Sequence, residues 1–318
     1  MNLKPLVFAG TIGVALVAGT HASATSGAAD DVVYSPVLAA MNGRLRAAGV
    51  TKVAIAKAEL FFDGSVYRGD QATTIIANDR THILSAQFVE NDPRRGGSSD
   101  ISYLVDRSDG AALGFNAAGA VIVLPNAVTE AELDASMAVW GNMNCNGPGI
   151  VKVPDTGADP DLVDGIVFNN PALIGTPFAD ITHAGWVPGA FFDAAFPPNG
   201  SLFVLAATFT FVFVDANGNP TDIDRNHLAD TAFRETYYNL RFAWGTGGNP
   251  ANIDIQSVAI HESGHGFGLA HFGKLFLKAS GALQFAPRAI MNAAYTGEDR
   301  EIRGTDNASF CQIWANGR

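Results

Sequence analysis

The densest chemistry in the chain is the run His261-Glu262-Ser263-Gly264-His265-Gly266-Phe267-Gly268-Leu269-Ala270-His271. Residues four apart on an α-helix lie one above the other, so His261 and His265 can offer two imidazoles to one metal. Glu262, about 100° round the same turn, can address an open coordination position. Gly268 is where the helix should stop, because glycine enters the left-handed conformation cheaply. The chain can then double back and bring His271 in as a third ligand. Three neutral nitrogens with one position left open are the pattern of a catalytic zinc, whereas structural zinc is usually closed by four protein ligands. A carboxylate beside such a metal can deprotonate an attacking water. The spacing therefore predicts metal-assisted hydrolysis with Glu262 as the general base.

These side chains need a helix entered cleanly, a turn beneath it and a sheet to hold both. Asp254 is placed to cap the helix, and Ala289-Ile290-Met291-Asn292 offers a turn a short loop beyond His271. With the extended H-E-x-x-H-x-x-G-x-x-H spacing, this turn resembles the metzincin metallopeptidases, and within them the matrixin-like proteins secreted by bacteria. The resemblance covers residues 98–318 and is strongest over 252–296. It implies an α+β fold: a metzincin-like zinc protease domain with a twisted mixed sheet, an active-site helix, a Met-turn at Met291 and a C-terminal helix. It also implies a secreted zinc-dependent endopeptidase acting on peptide or protein substrates. Tyr295 matches a tyrosine that walls the pocket for the residue after the scissile bond. Ile101–Asp106 resembles the family's first strand, Glu130–Trp140 its first long helix, and Arg303-Gly-Thr-Asp306 through Trp314 its closing helix.

Three departures qualify the match. Ala293 stands where some branches carry a zinc-binding tyrosine. Ala207 stands where animal matrixins hold a structural zinc through histidine, and His183 is the lone histidine of that region, so one zinc is expected. Phe272-Gly273 follows His271 in place of the usual serine. Two other readings stay open: a hydrolase aimed at one narrow target, such as a cell-wall peptide or a single protein, and a secreted module that kept a metal site without turnover. Glu262 argues against the second, since metal binding alone does not need a carboxylate there.

Bulk properties set the context. A hydrophobic fraction of 47% is ample for a core, and 20 Lys+Arg against 31 Asp+Glu give a net charge of −11 with no basic stripe, which excludes nucleic acid as an expected partner. Lys4, the apolar run from Pro5 to Gly19 and Ala22-Ser23-Ala24 read as a signal peptide cut after Ala24. A secreted or periplasmic monomer without membrane association follows. In an exported chain the only two cysteines, Cys145 and Cys311, are expected to form a disulfide. With no cysteine in 25–98, latency through a metal-binding cysteine is excluded.

Along the chain, residues 25–35 read as disordered, 35–49 as an amphipathic helix with Leu38, Met41, Leu45 and Ala48 on one face, and 52–62 as a strand. Pro93–Ser99 reads as the domain boundary. The expected division is thus 1–24 signal peptide, 25–98 propeptide or permanently packed extension, and 99–318 catalytic domain, with Arg94-Arg95 suited to a trypsin-like cut. Further strands are expected at Ile101–Val105, Ile150–Val153, Ala179–His183 and Leu205–Val214. In the last, Thr208, Thr210 and Val212 alternate with Phe209, Phe211 and Phe213. As the edge strand of the sheet it would pair with extended substrate. Finally, Asp222, Asp224, Asn226 and Asp230 have the alternating spacing of a calcium loop, although a plain solvated acidic turn would look the same.

Overall fold

The computed structural model describes residues 35–64, 73–74, 83–159, 161–170, 174, 179–278, 280 and 283–315. The signal-peptide stretch and residues 25–34 lie outside them. Among the described residues, no helix is long and apolar enough to cross a membrane.

A mixed sheet organises the chain. Its strands are β1 (Val53–Asp63), β2 (Ile101–Val105), β3 (Ile150–Lys152), β4 (Ile181–Val187), β5 (Val204–Phe213), β6 (Ala229–Asn239) and β7 (Ala294–Tyr295), in the spatial order β7-β1-β5-β6-β4-β2-β3, with Ala86–Gln87 pairing beside β6. β5 runs antiparallel to both β1 and β6, while β6, β4, β2 and β3 are mutually parallel. The helices are α1 (Ser35–Ala47), α2 (Asn126–Gly141), α3 (Leu162–Val167), α4 (Gly189–Ala195), α5 (Ile255–Gly266) and α6 (Gly304–Trp314). The architecture is α+β, with helices on both faces of the sheet.

Two apolar cores result, one per face. The α1, α3 and α4 side holds Met41, Leu45, Phe191, Phe192, Phe209 and Phe211. The α2, α5 and α6 side holds Trp140, Val258, Met291 and Phe310. The period-two alternation of β5 is what divides them: its phenylalanines enter the first core, while Thr208 and Thr210 point at the helix layer containing α5. Cys145, after α2, and Cys311, in α6, are joined in a disulfide that ties those two helices together.

One expectation is overturned here. β5 is an interior strand rather than an edge: it pairs with β1 from Val53↔Phe213 to Phe62↔Val204 and with β6 from Thr231↔Val212 to Tyr238↔Ala206. Alternation reports which faces are buried but not which strands are neighbours, and β1 fills the place beside it. The Pro93–Ser99 stretch, where the domain boundary is expected, is folded tightly against the rest of the chain. Pro93–Arg95 form a 3-10 turn capped by Asp92. Arg94 is paired with Asp92 and Asp230, and Arg95, nearly buried, with Asp180. The composition of a linker here encodes a tight turn pinned by ion pairs.

Candidate metal centre

The helix that carries the motif begins as the sequence predicts. Asp254 accepts a hydrogen bond from Ser257 N at 2.9 Å and caps α5; Arg300 pairs with the same carboxylate. At the other end Gly268 has φ +93°, and a Cβ there would run into the Gln87 amide. The buried guanidinium of Arg234 donates to Gly266 O at 2.8 Å, placing a cation at the helix carboxyl end, where the helix dipole favours it. Gly264 is required for a different reason: a Cβ there would meet Met291 Sδ and the Trp140 ring. Met291 thus packs directly beneath the helix, and its turn is held by Asp306, which accepts from Ile290 N and Met291 N at 3.0 and 3.2 Å.

The three histidines converge. Their Nε2 atoms lie 3.1 to 3.2 Å from one another. His261 Nδ1 is 2.7 Å from Ile290 O, and His265 Nδ1 is 2.8 Å from Leu269 O. A carbonyl oxygen can only accept, so both Nδ1 atoms carry the hydrogen and both Nε2 atoms present lone pairs. His271 Nδ1 lies 3.3 Å from Glu59 Oε2 and is oriented in the same sense. Burial and the neighbouring histidines hold all three rings well below their ordinary pKa, hence neutral. Three lone pairs facing one another repel unless a cation sits among them. Nitrogens bound tetrahedrally at about 2.0–2.1 Å would stand about 3.3 Å apart, so the arrangement fits zinc with minor adjustment.

Glu262 is buried beside the triad. Its Oε2 accepts from the Thr208 hydroxyl at 2.5 Å. Thr208 Oγ1 is 2.8 Å from Thr236 Oγ1, and with its own hydrogen committed it receives one from Thr236. Oε1 has no hydrogen-bond partner. Burial pushes the carboxyl up to about 8, with the Thr208 bond pulling it down and the Glu59 charge adding to the rise. Tyr295 accepts from Asp254 N at 3.1 Å and lines a cleft with Phe61, Ile290 and Asn292.

Other expected residues fare differently. Asp222, Asp224 and Asp230 come within 4.8 Å of one another through one carboxylate oxygen each. Asn226 Oδ1 accepts from Leu228 N, and its Nδ2 donates to Asp224. Asp230 is already paired with Arg94 at 2.8 Å. His183 is remote in role: buried, with Nδ1 2.8 Å from the Tyr238 hydroxyl.

Sequence reasoning missed the contribution of β1. Phe61 stacks on His261, ring centroids 3.9 Å apart at 13°, and Glu59, paired with Lys57 at 2.9 Å, reaches His271. Strand alternation puts Lys57, Glu59 and Phe61 on one face, but nothing in the local pattern ties that face to the histidines. Comparison with known proteins adds no family to this geometry: no family model matches the chain, and no curated relative is found for it.

Proposed function

We propose that the chain is a secreted zinc-dependent endopeptidase of metzincin-like, matrixin-like build. The observation that carries this reading is the convergence of three Nε2 atoms, two with Nδ1 committed to backbone carbonyls, beside a buried carboxylate with one free oxygen. His261, His265 and His271 would hold the metal. When bound, zinc would lower the pKa of water towards about 7 and polarise the carbonyl under attack. With Glu262 ionised, a form the charge of a bound cation would favour, its Oε1 takes a proton from the attacking water and later delivers it to the departing amine nitrogen. Thr208, steadied by Thr236, holds Oε2 and leaves Oε1 free for the proton transfer. Secretion rests on the N-terminal apolar run and is supported by the disulfide, a bond that persists in oxidising compartments. Casein or gelatin hydrolysis by the purified protein, beside Glu262→Gln and with zinc content measured on both, tests the reading. Activity in the parent alone with about one zinc in each supports endopeptidase and base together; absence of zinc from both sinks it.

For residues 25–98 we propose a latent form. β1 pairs antiparallel with β5, which would become an edge strand only if β1 were lost, and parallel with β7 at Phe62↔Ala294 and Asp63↔Tyr295. Its side chains Glu59 and Phe61 lie on two of the three histidines. An extended peptide crossing the centre would make the same kinds of contact. Casein hydrolysis followed with time, with intact mass and N-terminal sequence taken at each point, tests this. A lag that ends as the N-terminal segment is lost is expected; full activity with β1 still present would make it a permanent strand.

A further inference from the structure

On the opposite side of β2 from its start, a second group of side chains has no explanation in the hydrolytic reading. Asp106 and Asp109 follow the carboxyl end of β2, and Asp159, Asp161 and Asp164 precede or open α3. One carboxylate oxygen each from Asp106, Asp159 and Asp161 lies within 4.8 Å of the others. We infer that these three aspartates, backed by Asp109 and Asp164, form a calcium site distinct from the histidine triad.

The argument rests on what these carboxylates do not touch. Among the described residues, both oxygens of Asp161, fully buried, lack any hydrogen-bond partner, and so do Asp106 Oδ2, Asp109 Oδ2, Asp159 Oδ1 and Asp164 Oδ1. An unpartnered buried carboxylate is among the costliest groups a fold can hold. Asp161 stands at the amino end of α3, where aspartate ordinarily caps, yet makes no cap bond. Glu235 does that work, accepting from Leu162 N at 3.0 Å and Val163 N at 3.1 Å. The Asp161 carboxylate is thus held away from the helix that could have satisfied it. The adjacent cation is also turned elsewhere: Arg107 pairs with Asp155 and Glu130. By contrast Asp106 Oδ1 is fixed by Ser108 N and Oγ at 2.7 and 2.6 Å, which aims the vacant Oδ2. Gly185, at φ +95°, completes the packing, because a Cβ there would collide with Asp109.

Calcium suits this set better than zinc or magnesium. The donors are all oxygen, which disfavours zinc, and calcium accepts irregular sets of six to eight oxygens at about 2.3–2.6 Å, whereas magnesium demands a near-ideal octahedron and keeps its waters. The site would join the carboxyl end of β2 to α3, which packs into the core on the sheet face away from α5.

The test uses the full-length zinc-loaded protein passed over a chelating resin and restored with zinc alone. Thermal melting with and without millimolar calcium is read beside terbium luminescence excited through tryptophan, Trp186 being next to Gly185 on β4. Asp159→Asn/Asp161→Asn is compared with Asp222→Asn/Asp224→Asn, which removes the exposed acidic loop. The parent should melt several degrees higher in calcium. The buried pair variant should lose that gain and bind terbium at least about tenfold more weakly, each lost carboxylate ligand removing a charge-assisted contact; the loop variant should keep both. A parent indifferent to calcium, a response that survives in the buried pair variant, or one that disappears with the loop variant overturns the site. Should the buried pair variant fail to fold, a crystal of the parent grown in terbium decides. Density among Asp106, Asp159 and Asp161 sustains the inference, and its absence there defeats it.

Discussion

The histidine triad and the aspartate cluster both gather metal-binding side chains, and the fold treats the atoms that do not converge in opposite ways. Around the triad each imidazole has its second nitrogen occupied, by Ile290 O, Leu269 O or Glu59. Such partners fix the tautomer and orient the ring before any metal arrives. Around the aspartates there is almost no supporting frame, and six carboxylate oxygens are left without partners. Electrostatics diverge in the same manner. Burial drives the imidazoles neutral, which is the metal-binding form. Among the aspartates burial, reinforced by neighbouring carboxylates, pushes Asp109 up to about 8 and Asp164 up to about 6, towards the protonated form that does not bind metal. One region is preorganised; the other is organised by what it binds.

If that contrast is right, perturbations should separate the two regions. The largest effect expected is on turnover: Glu262→Gln should lower kcat by about 10³–10⁴-fold while zinc content and calcium response stay as in the parent. A near-parental rate would remove Glu262 from the chemistry. Next is the disulfide. Replacing Cys145 and Cys311 by serine unties α2 from α6 on the triad side, and chain-entropy arithmetic gives a loss of about 5 kcal/mol in denaturant unfolding. An unchanged midpoint would mean that the packing of Trp140 and Phe310 suffices.

A smaller effect links both regions through β4, whose His183 bonds Tyr238 through its ring and Asp106 N through its carbonyl. Burial pushes His183 down to about 4 from an ordinary value near 6.5. Between those values the unfolded chain binds the proton that the folded chain refuses. Stability from this group is therefore complete above about pH 6.5 and is lost as pH falls through about 4, a total of about 3 kcal/mol. Urea unfolding across that window should show the slope, and His183→Gln should flatten it. A slope unaltered by the substitution would assign it to other groups. The smallest effect is Glu59→Gln, which should weaken zinc binding by about 10–100-fold in chelator competition without touching the calcium response. Unchanged zinc affinity would show that the backbone-held rings alone set the triad.

Much of the triad was legible because helical geometry is local. Spacing of four residues fixed His261 above His265, Asp254 capped the helix, and Gly268 ended it at positive φ. The helix at 35–49, the strand at 52–62 and the faces of β5 followed from periodicity for the same reason. The reading of β5 as a substrate-bearing edge failed because pairing partners are not encoded in alternation. The ion pairs of Arg94 and Arg95 were not legible, because Asp230 and Asp180 lie far along the chain.

The sequence by itself therefore determined which three histidines converge, which carboxylate stands beside them, the cap and stop of the motif helix, and the one disulfide that two cysteines permit. Each depends on residue type and on spacing within a few turns. Only the tertiary structure decided that β1 lies beside β5, that Glu59 and Phe61 reach the histidines, and that Asp106, Asp159 and Asp161 from two separate segments converge. Those outcomes depend on which distant surfaces bury one another, and side-chain burial is a property of the whole packed chain rather than of any window within it.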